Sequence, residues 1–143
     1  MKRVFLDSSV LFSALYSSRG FSRDLLLTAA RGEIVLVMRQ DVADETKRNL
    51  AEHAPDTTRA LWDYFLSNLA VEYVTPTKRE VRAAAKRVVA KDAPIVAAAR
   101  KANVDFLVTL DKKHLLGKPE LAKYVRTDIV TPKEAAARLT RVN

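Results

Sequence analysis

The sequence predicts a three-layer α/β domain, with a central, mostly parallel sheet of about five strands and helices on both faces. Three apolar runs carry that expectation: Val4-Phe5-Leu6, Ile34-Val35-Leu36-Val37-Met38 and Phe106-Leu107-Val108-Thr109-Leu110. None alternates with polar residues as a strand with one wet face would, so each reads as buried on both faces. Between them the apolar period lengthens to that of a helix. Such alternation implies parallel strands joined by helical crossovers. A chain of 143 residues that is 48% hydrophobic suits one domain, expected over residues 1–143, with one good core.

Each element has its own signal. After the first strand, Val10, Leu11, Ala14 and Leu15 recur at helical spacing, so Asp7 stands where a buried strand ends and a helix begins. Phe21, Leu25, Leu26, Leu27 and Ala30 follow Gly20 and read as a second helix ending near Gly32. After the second strand, Asp41 can cap a helix carrying Val42, Glu45, Asn49 and Leu50, which Pro55 and Asp56 break. Leu61, Trp62, Phe65, Leu66 and Leu69 mark an amphipathic helix. Val71 to Val74 is a more polar strand, expected nearer an edge. Thr77-Lys78-Arg79-Glu80 has capping-box spacing and opens a helix through about Ala90, with Lys86, Arg87 and Lys91 on a solvated face. Asp92-Ala93-Pro94 restarts a helix through Ile95 to Lys101. Gly117 and Pro119 mark a loop, Val125 to Val130 a last strand, and Thr131-Pro132-Lys133-Glu134 a second capping box that opens a terminal helix.

Composition excludes several chemistries. With no cysteine, disulfides, thiolate metal sites and cysteine nucleophiles are ruled out, and with only His53 and His114 a His-rich zinc site is improbable. There is no apolar run long enough for a membrane span, and Asp7 interrupts any secretion-signal pattern, so a cytoplasmic protein is expected. Lys and Arg total 25 against 17 Asp and Glu, a net charge of +8. That balance suits a polyanionic partner such as nucleic acid, and equally a solvated basic surface.

Two strands end alike, in Phe5-Leu6-Asp7 and in Val108-Thr109-Leu110-Asp111. As sheet neighbours they would bring both carboxylates to one edge, where open α/β sheets bind ligands. Asp92 starts the helix leading into the second of these strands, and Glu45 lies in the helix after the second strand of the chain. Singly, each has a plain structural reading: Asp7, Asp92 and Asp111 as helix caps, Glu45 as a solvated helix residue.

Together the four motifs resemble the PIN-domain nucleases. An Asp stands in "LDSSVL", a Glu in the third helix, an Asp in "DAPIVAAA" and an Asp in "VTLDKKHL". The likeness covers essentially the whole chain and is greatest to VapC-like toxins of type II toxin–antitoxin pairs. It implies a PIN-like fold and a metal-dependent endoribonuclease with Asp7, Glu45, Asp92 and Asp111 as its acidic set. It further implies that Ser9 helps order the first Asp, that an antitoxin binds the chain, and that the chain forms a homodimer. Family members often carry Asn where Ser9 stands and Gly or Arg where Leu110 stands. Many have another acid soon after the last Asp, where this chain has Lys112, Lys113 and His114. The resemblance therefore carries no fifth ligand and no second metal onto it.

The residue chemistry agrees. Two carboxylates about 4 Å apart repel by roughly 4 kcal/mol at an effective dielectric of 20, so a four-acid pocket needs a counter-ion. Oxygen ligands select Mg2+ or Mn2+ over zinc, and a water bound to such an ion becomes a nucleophile. Asp7, Asp92 and Asp111 are the expected metal ligands, with Glu45 orienting the attacking water. Direct hydrolysis follows, since no activated Ser or Cys is evident. An RNA substrate also needs basic residues around the acids. Arg39, Lys47 and Lys112, with Arg48, Lys91, Arg100 and Lys113, flank the motifs, and Ser9 lies among them. His114, Trp62 and Tyr64 could touch substrate, although Trp62 at helical spacing with Phe65 suits a core or dimer interface. The competing reading is a non-catalytic PIN-like module that binds RNA and keeps its acids as caps. A phosphoacceptor receiver domain fits poorly, because Lys2-Arg3 stand where it needs acids.

Overall fold

The computed structural model describes residues 1–140, without the side chains of Leu66 and Asn68. The last three positions of the expected 1–143 domain, and the Leu66 contact expected of its helix, lie outside the described residues.

The strands are β1 (Lys2–Leu6), β2 (Ile34–Arg39), β3 (Val71–Val74), β4 (Phe106–Val108) and β5 (Asp128–Val130). The helices are α1 (Ser8–Tyr16), α2 (Phe21–Ala30), α3 (Gln40–His53), α4 (Asp56–Asn68), α5 (Lys78–Ala84), α6 (Ala93–Ala102), α7 (Pro119–Val125) and α8 (Pro132–Thr140). A 3-10 turn over Ala90–Asp92 runs into α6. None of the described helices is long and apolar enough to cross a membrane.

The strands form one sheet in the order β3-β2-β1-β4-β5, and every pairing is parallel. The polar β3 is an edge strand, as its composition predicts. β1 is central, with Phe5 beside Val37 on one side and Leu107 on the other. Successive strand residues point to opposite faces, and here both faces are dry. Val4, Leu6, Leu36, Met38, Phe106 and Val108 enter one apolar cluster, roofed by α1, α2, α3, α4 and α8. Phe5, Val37 and Leu107 enter the other, against α5, α6 and α7. A strand lined with apolar residues on both sides must be an unbroken apolar run, which is why these strands are legible in the sequence. Trp62, 5% exposed, belongs to the first core.

Four boundaries differ from the sequence expectation. The helix after β2 begins at Gln40, with Arg39 at its N-cap and no capping side chain; Asp41 lies in the first turn and pairs with Arg39. An acid there is favoured by the partial positive charge of the helix start. The helix opened by Thr77 stops at Ala84, well short of Ala90. Val88 and Val89, stiff β-branched residues, follow the last turn and favour leaving the helix. β4 ends at Val108 because its neighbour β5 ends at Val130, whose carbonyl accepts the Thr109 N–H as the last rung at 3.0 Å. The stretch expected as a strand over Val125 to Val130 is strand only from Asp128; the expected loop at Pro119 is instead α7, with Pro in its first turn and Arg126 at positive φ closing it.

Both expected capping boxes form. Thr77 and Glu80 exchange side-chain bonds with each other's backbone N–H, as do Thr131 and Glu134. The backbone N–H of Thr131, aided by its hydroxyl, holds the Glu134 carboxyl below the usual glutamate range against a smaller opposing push from burial. A lowered acid stabilises the fold above its unfolded pKa, and that contribution disappears as pH falls through the folded value. Thr131→Ala should therefore cost about 1 kcal/mol near neutral pH. In urea denaturation the gap from wild type should narrow once the solution is acid enough to protonate Glu134.

Candidate functional site

The carboxyl ends of β1 and β4 lie side by side, with Leu6 paired to Val108. The chain leaves both strands through an aspartate turn. Asp7 has extended backbone angles and caps α1, its Oδ1 accepting the Ser8 N–H at 2.8 Å. Its own N–H donates to the Val108 carbonyl at 3.0 Å. Its Oδ2 accepts the Thr109 hydroxyl at 2.7 Å and the Ser9 hydroxyl at 3.2 Å. Thr109 is fully buried, and its oxygen in turn accepts the Asp111 N–H at 3.1 Å. Ser9 likewise accepts the Leu110 N–H at 3.3 Å. Two hydroxyls thus lock the loop after β4 to the first acid.

Asp111 makes a turn of its own. Oδ1 accepts the N–H groups of Lys113 and His114 at 3.1 and 2.9 Å. Burial alone would raise the pKa of this carboxyl. The His114 N–H, the His114 ring and the Lys113 N–H outweigh it and hold the group below the usual aspartate range.

Asp92 occupies the N-cap position of α6 but makes no capping hydrogen bond. It is 9% exposed, and its Oδ2 is buried without a hydrogen-bond partner. That oxygen lies 3.4 Å from His114 Nδ1, which is also 3.4 Å from Asp111 Oδ2. One ligand atom from each of Asp92, Asp111 and His114 falls within 4.8 Å of the other two. Two carboxylates and an imidazole so close form a negative centre. A protonated imidazole can bridge it, and a divalent cation could be held there by two carboxylate oxygens and a ring nitrogen. The buried, unpartnered oxygen of Asp92 fits the second case, since burying an ionised oxygen without a donor is costly.

The other predicted residues fall as follows. Asp7 stands outside the 4.8 Å group and connects to Asp111 through Thr109. Glu45 is exposed in the second turn of α3, with no hydrogen bond or ion pair among the described residues. Arg39 pairs with Asp41, and its side chain is only 19% exposed. Lys47 and Lys112 are exposed, as are Arg48, Lys91 and Lys113. Arg100 is taken up by α7: it donates to the Tyr124 carbonyl and stacks on the Tyr124 ring at 4.5 Å. Thr109 was not singled out by the sequence, because a Thr inside an apolar run looks like any β-branched strand residue. The faint signal is its place two residues before a strand-ending Asp, where a hydroxyl can reach the backbone N–H of that Asp.

Comparison with known proteins bears on this arrangement. A family model described as PIN domain matches residues 3–113. No curated protein matches the chain. Among solved structures, VapBC2 from Rickettsia felis bound to a promoter DNA fragment superposes with a TM-score of 0.59 at 14% identity, covering 90% of this chain and 98% of that one. FitAB bound to the IR36 DNA fragment gives 0.55 at 14% identity, with 90% and 94% covered. FitAcB from Neisseria gonorrhoeae gives 0.54 at 14% identity, with 91% and 98% covered.

Thr109→Val keeps the shape and removes the shared hydroxyl, leaving the Asp111 N–H and one Asp7 oxygen short of a partner. It should destabilise the protein by about 1–3 kcal/mol, read by urea denaturation. Asp111→Asn should flatten the acid side of the stability profile. Wild type loses the contribution of a lowered carboxylate as pH falls through and below the usual aspartate range, and the amide has none to lose.

Proposed function

The chain belongs to the PIN domain family, and we propose that it is an endoribonuclease that hydrolyses RNA phosphodiester bonds at the edge formed by Asp7, Asp92 and Asp111. The observation that carries this reading is the Asp92 carboxylate, which sits at a cap position, caps nothing, and holds a buried, unpartnered oxygen beside Asp111 and His114. Selection for folding alone would favour an Asp92 that satisfied the helix start, because a buried polar oxygen without a hydrogen bond is costly.

Asp92, Asp111 and His114 Nδ1, with Asp7 next to them, would hold one divalent cation, Mg2+ or Mn2+, which supplies positive charge toward a phosphate and acidifies a bound water. The chain's own residues do the remaining work. The Ser8 N–H and the hydroxyls of Ser9 and Thr109 fix the direction of the Asp7 carboxylate. Two backbone N–H groups fix Asp111 in the same way. Glu45, exposed and unpaired, orients the attacking water and takes its proton. Lys47 and Lys112 attract the RNA backbone into an otherwise repulsive pocket, with Arg39 and Ser9 at its border. Water attacks phosphorus directly, with no covalent intermediate on the protein.

The toxin role rests on likeness of fold to VapBC2 and FitAB. On this reading an antitoxin protein binds the chain and blocks the acidic edge, the active form is a homodimer, and the protein works in the cytoplasm. A second reading, a non-catalytic RNA-binding module, draws support from one observation: both oxygens of Asp7 are taken up by hydrogen bonds, and it lies outside the group of Asp92, Asp111 and His114.

Purified protein should cut RNA when Mn2+ is added and stop when it is chelated. Asp7→Asn and Asp111→Asn should each lower the rate by about 100-fold or more while keeping wild-type circular dichroism. Equal cleavage by wild type and Asp7→Asn would remove the enzyme from consideration. For the toxin role, expression of the chain alone should arrest growth, and co-expression of its antitoxin should restore it.

A further inference from the structure

A cavity of about 550 Å3 opens beside the acidic edge, where the loop after β4 meets the turn between α5 and α6 and the start of α7. Its wall carries Lys86, Arg87, Lys113 and Lys118, with Glu120 as the one acid. His114 belongs to both places: its ring lines this cavity, and its Nδ1 stands 3.4 Å from Asp92 and Asp111. The cavity and the proposed catalytic edge therefore adjoin at His114.

Unpaired cations are common among the described residues, and these four are distinguished by lining one hollow together. Arg3, Arg31, Arg39, Arg59, Lys101 and Arg138 each pair with a carboxylate. The four cations of this wall pair with none among the described residues. Arg87 is held in place by the Tyr124 ring, 5.0 Å away, an arrangement that leaves its N–H groups free to donate. Val89, 49% exposed, and Leu121 add apolar surface. Unpaired cations around a hollow of this volume, with an apolar patch, suit one or two nucleotides of a single strand. The boundary at Ala84 makes this possible. Because α5 stops there, Lys86 and Arg87 lie on the turn that forms the cavity wall and not on the solvated helix face that the sequence suggests.

We infer that this groove is a second RNA subsite, in which Lys86, Arg87, Lys113 and Lys118 hold the backbone phosphates of the strand next to the one at the acidic edge. The inference rests on the nuclease reading only for the identity of the strand. His114 marks the border between the two subsites. The strand crosses there from anionic to cationic surroundings, which fixes where along it the acids act.

The test is binding without cleavage, in an Asp7→Asn background with chelator present. Fluorescence anisotropy of a labelled single-stranded RNA is followed as salt is raised. Lys86→Ala with Lys118→Ala should weaken binding by roughly tenfold. It should also lower the slope of log affinity against log salt by about 1.4, at about 0.7 for each phosphate that is no longer neutralised. The charge-matched control, Lys2→Ala with Lys133→Ala, lies by a separate cavity lined by Met1, Phe21 and Ile34 and should change neither quantity. Equal weakening in both double variants, or none in either, would overturn the subsite. So would displacement of the RNA by polyglutamate at the same charge concentration, which would assign the groove to an acidic protein segment. The nuclease reading fails separately. Wild type that cannot cut RNA, with binding still weakened in the Lys86 and Lys118 variant, keeps the groove and discards the enzyme. Cleavage with unaltered binding in that variant does the reverse.

Discussion

A 2.7 Å hydrogen bond from the Thr109 hydroxyl to Asp7 holds the acidic edge together. Through it the first strand, the fourth strand and the loop that carries Asp111 become one rigid unit. The same hydroxyl oxygen accepts the Asp111 N–H, so the two acids are set by one atom, 102 and two residues away along the chain. A parallel sheet makes this arrangement available. All its strands end at one edge, and the strand ends are where backbone N–H groups and short polar side chains are left free to grip a carboxylate.

From that constraint the electrostatics follow. Asp7 and Asp111 are each surrounded by hydrogen-bond donors, and those around Asp111 outweigh its burial and hold the carboxyl below the usual aspartate range. Asp92 has no such support on one oxygen. That oxygen lies beside Asp111 and 3.4 Å from His114 Nδ1, where positive charge would suit it. His114 supplies some when protonated, and a divalent ion would supply more. Around this negative centre the protein carries a net charge of +8. Such a net charge attracts a polyanion to the molecule as a whole.

The plain structural readings of the four acids fare differently. Asp7 and Asp111 do organise backbone turns, so structure and function are compatible in them. Asp92 stands at a cap position without capping, and Glu45 is a solvated helix residue with no hydrogen bond or ion pair among the described residues. The basic residues divide as well. Arg39 and Arg100, grouped by sequence with the substrate rim, are committed to Asp41 and to Tyr124. Lys86 and Arg87, which read as a solvated helix face, are solvated but stand on a turn, where they line a cavity. Proximity along the chain says little about which cations share a surface, because a turn of helix or its early end redirects a side chain entirely.

By itself the sequence determined the layers, the strands buried on both faces and both capping boxes, since each is a local pattern of apolar period or side-chain reach. It also determined that Asp7 ends a strand, whereas Asp111, expected to do the same, lies beyond the end of β4 in a turn of its own. Only the tertiary structure decided that β1 and β4 are neighbours, that Thr109 bridges them, and that His114 lies between Asp92 and Asp111. These are contacts between residues far apart in the chain, set by how strands pair and where helices stop. Their signals, a Thr in an apolar run and a lone His after two lysines, look the same whether or not such partners exist.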